Sequence, residues 1–153
     1  MEQQKGNSPW VAILMSTLGC GIGQIYNKQF FKSLYFLLIL LPLNAKSNIN
    51  EAMIYSFLGQ MDRASETLNA NWAMIWMGFF YIAMYEAYTT SYKKINSKEA
   101  SSVDAVPFAI AVMFGDMGII YERFTPLGPI FFPIATSLMG IVIGIIIRKI
   151  IIS

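Results

Sequence analysis

Apolar residues in this chain are gathered into runs, Trp10 to Tyr26, Phe30 to Leu43, Trp72 to Tyr92, Ala105 to Tyr121 and Pro129 to Ile147, separated by short polar islands. A helix rises about 1.5 Å per residue, so an apolar run of roughly 20 residues matches the ~30 Å hydrocarbon layer of a bilayer. The pattern predicts an all-α integral membrane helical bundle with about four full spans, over residues 30–43, 72–92, 105–121 and 129–147. The run 10–26, broken by Ser16, Thr17 and Gln24, is predicted as a short re-entrant or partial span. Trp72 and Trp76 at one end of the third run, with Tyr88 and Tyr92 at the other, are placed like the aromatic belts of two membrane surfaces. Pro129 and Pro133 open the last run where a missing N–H costs least, and Arg148 and Lys149 close it.

Residues 48–68 follow another period. Asn48 and Glu51 have capping-box spacing, and Ile54, Phe57, Leu58, Met61, Ala64 and Leu68 fall on one helical face. The opposite face, with Glu51, Asp62, Arg63 and Glu66, is net negative, whereas a helix that grips anionic lipid is usually rich in Lys and Arg. An external amphipathic surface helix is predicted, packed on its own membrane domain or on a partner. Ser97 to Asp104 reads as a solvated loop, and residues 1–153 as a single membrane domain.

Composition sharpens this picture. Of 153 residues 56% are hydrophobic and 13% charged, against about 25% charged in an ordinary soluble domain. The net charge of +2 is too scattered for the basic stripe that nucleic acid requires. With no histidine and one cysteine, Cys20, the chain lacks the inventory for a His/Cys zinc site, an internal disulfide or a Ser-His-Asp or Cys-His nucleophile pair. No enzyme activity, metal or cofactor is expected.

The segment from Leu18 to Lys32 carries Gly19, Gly21 and Gly23, whose spacing fits neither a dinucleotide loop nor a P-loop, and no strand precedes it. These glycines suit close helix packing or a bend. Lys5, an apolar run and Gly19-Cys20 imitate a lipoprotein signal, but Thr17 and Leu18 fit its cleavage site poorly. A packed or lipid-facing thiol is the reading of Cys20, with acylation as the alternative.

The run GCGIGQIYNKQFFKSLYFLL resembles the Pro-Gly-x-Gly-Gln-x-Tyr-Asn-x-Gln signature of small bacterial polytopic membrane proteins related to the two-transmembrane-helix domain superfamily. A similar run begins some sugar ABC-transporter permeases. Tyr85 to Ser91 is similar to the Asp-Ala-Tyr element of the same group, and LGPIFFPIATSLMGIVIG to its last span. Cys20 stands for the usual proline, Lys28 and Ser33 for glycines, and Glu86 for aspartate. The resemblance implies an architecture and a bacterial cytoplasmic membrane, and hardly a task. Lys28, Lys32, Lys93, Lys94, Lys98, Arg148 and Lys149 fall on one side, against Lys46, Arg63 and Arg123. The Asn27 loop, the Lys93 loop and the C terminus are therefore expected to be cytoplasmic; the orientation of the N terminus stays open.

Acids at membrane depth are costly and usually face protein or water. Glu86 shares a face with Thr90 and Lys93 and approaches the layer of Gln24, Asn27, Lys28 and Lys32, which predicts a polar knot or, alternatively, an ion or proton site. Asp116, between Gly115 and Gly118, is read as structural or interfacial, with an ion-related role as the alternative. Tyr81, Tyr85, Tyr88 and Tyr92 form one stripe, expected to pack on a neighbouring helix. Ser137, Gly140 and Gly144 offer a small-residue association face, within the chain or toward a second copy. Together these features point to a non-enzymatic accessory or scaffolding subunit of a larger membrane assembly, with the bilayer and a membrane-protein partner or self-association as its contacts. The alternative is a small oligomeric transporter or channel using Glu86 or Asp116. A membrane enzyme would need those two acids at one site, and they are expected toward opposite faces.

Overall fold

The computed structural model describes residues 8–19 and 21–152, and every regular element among them is helical. The helices are α1 (Pro9–Leu18), α2 (Ile22–Tyr26), α3 (Phe30–Ser47), α4 (Ile49–Phe57), α5 (Met61–Thr67), α6 (Ala70–Asn96), α7 (Val106–Tyr121) and α8 (Gly128–Ile152). Single 3-10 turns, Ser102–Ala105 and Glu122–Phe124, flank α7. Lys5 and Cys20 lie outside the described residues.

α6 is the organising helix. Its 27 residues extend about 40 Å, with α1, α3 and α7 packed against it. Three segments are long and apolar enough to cross a membrane: Phe30–Ser47, Ser102–Phe124 and Gly128–Ile152. α6 is longer than any of them but more polar, because Glu86, Thr89, Thr90, Ser91, Lys93 and Lys94 crowd its second half. Its buried positions include Ala73, Met77, Tyr81, Met84, Ala87 and Ser91, recurring at three and four residues along one face.

The predicted helix 10–26 is two helices. Gly21 takes φ 89°, a left-handed conformation that glycine adopts without penalty, and the chain reverses there between α1 and α2. Both arms lie beside the same part of α6: Trp10 meets Tyr88 edge-on at 6.3 Å, and a β-carbon at Gly23 would stand 2.7 Å from Ala12 O and 2.9 Å from Ala87 Cβ. The segment is thus a helical hairpin folded against the C-terminal half of α6.

The predicted helix 48–68 also divides. Gly59, at φ 74°, ends α4 and lets α5 start in a new direction. Asn48 makes no capping box; it is left-handed, joins α3 directly to α4, and donates from Nδ2 to Thr67 O at 3.3 Å. The expected inner face is largely outward, with Ile54, Phe57 and Leu58 exposed. Ile49, Ala52, Ser56 and Ala64 are the residues buried against the rest of the fold. The reason is steric: Ala52 and Ala64 let α4 and α5 lie close on the start of α8, where bulkier side chains would hold them off.

α7 and α8 form the tightest pair. Gly115 and Gly118 of α7 face Ser137 and Pro133 of α8, while Gly140 and Gly144 of α8 face Ala111 and Pro107 of α7. A β-carbon added at Gly140 would lie 2.8 Å from Ile110 O and 2.9 Å from Ala111 Cα. Ser137 Oγ donates to Ala111 O at 3.1 Å across the contact. The small-residue face of Ser137, Gly140 and Gly144 is therefore occupied inside the chain.

Candidate functional site

The largest polar constellation fastens the α1–α2 hairpin to α6. α2 ends at Asn27, and its short turn through Lys28 and Gln29 leads straight into α3, so Gln24, Asn27 and Lys32 all reach the same stretch of α6. The approach is close because Ala83, Ala87 and Ser91 put small side chains at four-residue intervals there. Gln24, fully buried, donates from Nε2 to Ala83 O at 2.7 Å and to Glu86 Oε2 at 3.1 Å. Asn27, also fully buried, donates from Nδ2 to Ala87 O at 2.8 Å and accepts at Oδ1 from Ser91 Oγ at 2.6 Å. Lys94 Nζ donates to Asn27 O. Glu86 Oε1 receives Lys32 Nζ in an ion pair and Thr90 Oγ1 at 3.0 Å.

Gln24, Asn27, Lys32, Glu86 and Thr90 are thus brought together, joined by Ser91 and Lys94. Lys28 and Lys93 stand apart. Lys28 occupies the turn itself, left-handed at φ 59°, where a non-glycine residue carries strain, and its side chain is exposed. Lys93 donates to Glu99 at 2.8 Å, and that hydrogen bond together with its charge holds the exposed Glu99 carboxyl below the usual carboxylate range. One residue along a helix is about 100° of rotation, which is why Lys94 reaches Asn27 and Lys93 does not. Gln24 Oε1 is buried without a partner among the described residues. Turning the amide over would set that oxygen against the Ala83 carbonyl and the Glu86 carboxylate, so the arrangement with Nε2 inward is the favourable one.

Two further clamps lie elsewhere. Ser101 and Asp104 make a capping box at the entry to α7, and Asp104 Oδ1, buried, accepts from Arg148 Nε at 2.6 Å near the end of α8. The predicted loop 97–104 therefore ends in an ion pair whose acid is buried, within the 3-10 turn that leads directly into α7. Arg148→Met should lower stability by about 2 kcal/mol, less than for a fully buried pair because Arg148 is 37% exposed. Thermal unfolding in detergent measures this, and an unchanged midpoint would show the pair to be idle. At the opposite end of the bundle, Ser65 of α5 donates to Glu122 Oε2 at 2.6 Å and Arg123 lies 3.5 Å from Oε1 of the same carboxylate.

The tyrosine stripe packs between helices: Tyr85 and Tyr88 face Phe108 of α7 at 5.4 and 6.0 Å, and Tyr88 also meets Trp10 of α1. Asp116 belongs to none of the clamps. A cavity of about 330 Å³ lies between α6 and α8, walled by Thr17 at the hairpin tip and by Ile49 and Met53 of α4. Its lining is almost entirely apolar, including Trp76, Met77, Phe80 and Ile134. Comparison of the chain with protein families, with curated proteins and with solved structures finds no match.

Proposed function

We propose that the chain is a polytopic protein of the bacterial cytoplasmic membrane that serves as a non-enzymatic accessory or scaffolding subunit of a larger membrane assembly. In this reading α3, α6, α7 and α8 cross the bilayer, the α1–α2 hairpin enters and returns on the cytoplasmic side, and α4 and α5 lie at the outer surface. Lys28, Lys32, Lys93, Lys94, Lys98, Arg148 and Lys149 then face the cytoplasm, as the charge rule favours. The outward Ile54, Phe57 and Leu58 of α4 dip into the lipid boundary, and acyl chains fill the cavity between α6 and α8.

The observation that carries the scaffold reading is the saturation of Glu86. Lys32, Gln24 and Thr90 already engage both of its oxygens, so the principal polar cluster of the bundle fixes helices to one another. A transport reading built on Glu86 would need that carboxylate to exchange partners with a travelling ion, and the ring of fixed partners speaks against it. Purification of the tagged protein from its own membranes at native abundance, in mild detergent, tests the proposal. A membrane protein at a fixed stoichiometric ratio is the expected companion. Recovery of this chain alone, as monomer or homo-oligomer, would overturn the reading.

A further inference from the structure

Of the acids among the described residues, Asp116 alone has a carboxyl oxygen shut away from the surface with no hydrogen-bond partner. It sits five residues before the end of α7 at Tyr121, about 7–8 Å along the helix. Two sides of α7 near it are closed, Gly115 against Met77 and Ser137, and Gly118 against Thr136 and Pro133. The side next to Asp116 is open: Met113, Met117 and Ile120, three or four residues from it or beside it, are 64%, 52% and 56% exposed. An acid thus stands at the edge of a bare, methionine-rich stripe on a helix apolar enough to span a bilayer.

No charge among the described residues is paired with it. Arg123, the nearest basic residue in sequence, lies beyond the helix end beside Glu122, and Lys32, Lys93 and Arg148 are taken up by Glu86, Glu99 and Asp104. A second copy docked on the same face by two-fold symmetry would set Asp116 against Asp116, which adds repulsion in a low-dielectric medium. A different helix bearing a cation at that depth would instead make each charge the other's counter-ion. Methionine side chains, flexible and polarizable, fit such a partner without a preformed groove.

We infer that the Asp116 face of α7 docks a membrane-spanning helix of another protein that carries an arginine or lysine at the same depth. This deepens the accessory-subunit reading and rests on it. The test uses the donor-labelled full chain in phosphatidylcholine vesicles with acceptor-labelled synthetic leucine-rich helices, one carrying a single arginine about five residues from its end, the other all leucine. The arginine helix should associate about tenfold more tightly, a typical range for a polar contact between membrane helices. Asp116→Asn should reduce it to the level of the leucine helix, and Asp116→Glu should retain the preference. Met117→Trp, which crowds the face and leaves the acid, should weaken both helices. Equal binding of the two helices, or a preference that survives in Asp116→Asn, overturns the inference. So does self-association of the chain that Asp116→Asn abolishes, because it assigns the face to a second copy. The accessory reading fails separately: if a native partner copurifies equally with wild type and Asp116→Asn, only the docking face is wrong. If the arginine helix binds as expected but native membranes yield no partner, the face stands and the subunit reading falls.

Discussion

Gly140→Leu should lower the midpoint of thermal unfolding in detergent by about 6–12 °C, the shift that about 3 kcal/mol produces in a chain of this size. The magnitude follows from what the new side chain would strike. Its β-carbon alone would stand 2.8 Å from Ile110 O and 2.9 Å from Ala111 Cα, both backbone atoms that cannot rotate away, and 3.0 Å from Phe114 Cβ. To accept it, α7 and α8 must separate. That separation would also stretch the Ser137 to Ala111 hydrogen bond and move Gly115 off Met77. In detergent, apolar tails would fill the opened seam, so no hydrophobic gain from water exclusion compensates for the lost packing. Gly78→Ala is the matched control: nothing lies within 4 Å of a β-carbon there. It should be neutral or stabilise by about 0.5–1 kcal/mol, the ordinary advantage of alanine over glycine in a helix. If both variants unfold alike, the α7–α8 seam is not a source of stability, and the small-residue face has some other use.

The contrast between those two glycines shows what a sequence discloses and what it withholds. Gly78, Gly140 and Gly144 all sit in apolar helical runs, and spacing singled out the pair that lies on a packed face. Spacing did not say which helix would fill it, because partner choice depends on the short turn at Glu122 to Gly128 that folds α8 back on α7. The apolar runs locate the long helices, three of which are long and apolar enough to cross a membrane. Short helices are less legible. Residues 10–26 and 48–68 each carry a plausible helical period, yet single glycines at 21 and 59 redirect the chain, and a redirected helix buries a different face. Gln24, Asn27, Lys32, Glu86 and Thr90 stood out because polar residues inside apolar runs must find partners. Ser91 carries no such signal, since serine is common in helices, although Ala83, Ala87 and Ser91 form a small-residue stripe at regular spacing. Asp104 carried a usable signal: Ser101 and Asp104 have capping-box spacing just before an apolar run, which marks a helix start rather than a solvated loop.

Asn27→Asp, nearly identical in shape, should destabilise the protein by about 2–3 kcal/mol by reversing a single donor. Nδ2 of Asn27 now donates to Ala87 O at 2.8 Å, and a carboxylate oxygen in its place would confront that carbonyl with no proton between them. The site offers no easy relief. Asn27 is completely buried, Ser91 Oγ already serves its other oxygen at 2.6 Å, and the Lys94 ammonium is engaged by the Asn27 backbone carbonyl. Ser91→Ala removes a donor and leaves Asn27 Oδ1 without a partner, for an expected cost of about 1–2 kcal/mol. Asn27→Leu combined with Ser91→Ala removes both ends of that bond and should cost less than the two single changes added together, because neither buried group is then left unpaired. The location of the damage matters as much as its size. If the clamp holds the α1–α2 hairpin on α6, Asn27→Asp should speed amide exchange through Ile22–Tyr26 more than through α7 and α8, whose own clamps are intact. Uniform exchange across the bundle would mean that the hairpin unfolds with α7 and α8 as one cooperative unit. A wild-type midpoint with a protected hairpin would mean that the hydrogen bonds around Asn27 contribute little, and the scaffold reading built on the polar cluster would lose its physical basis.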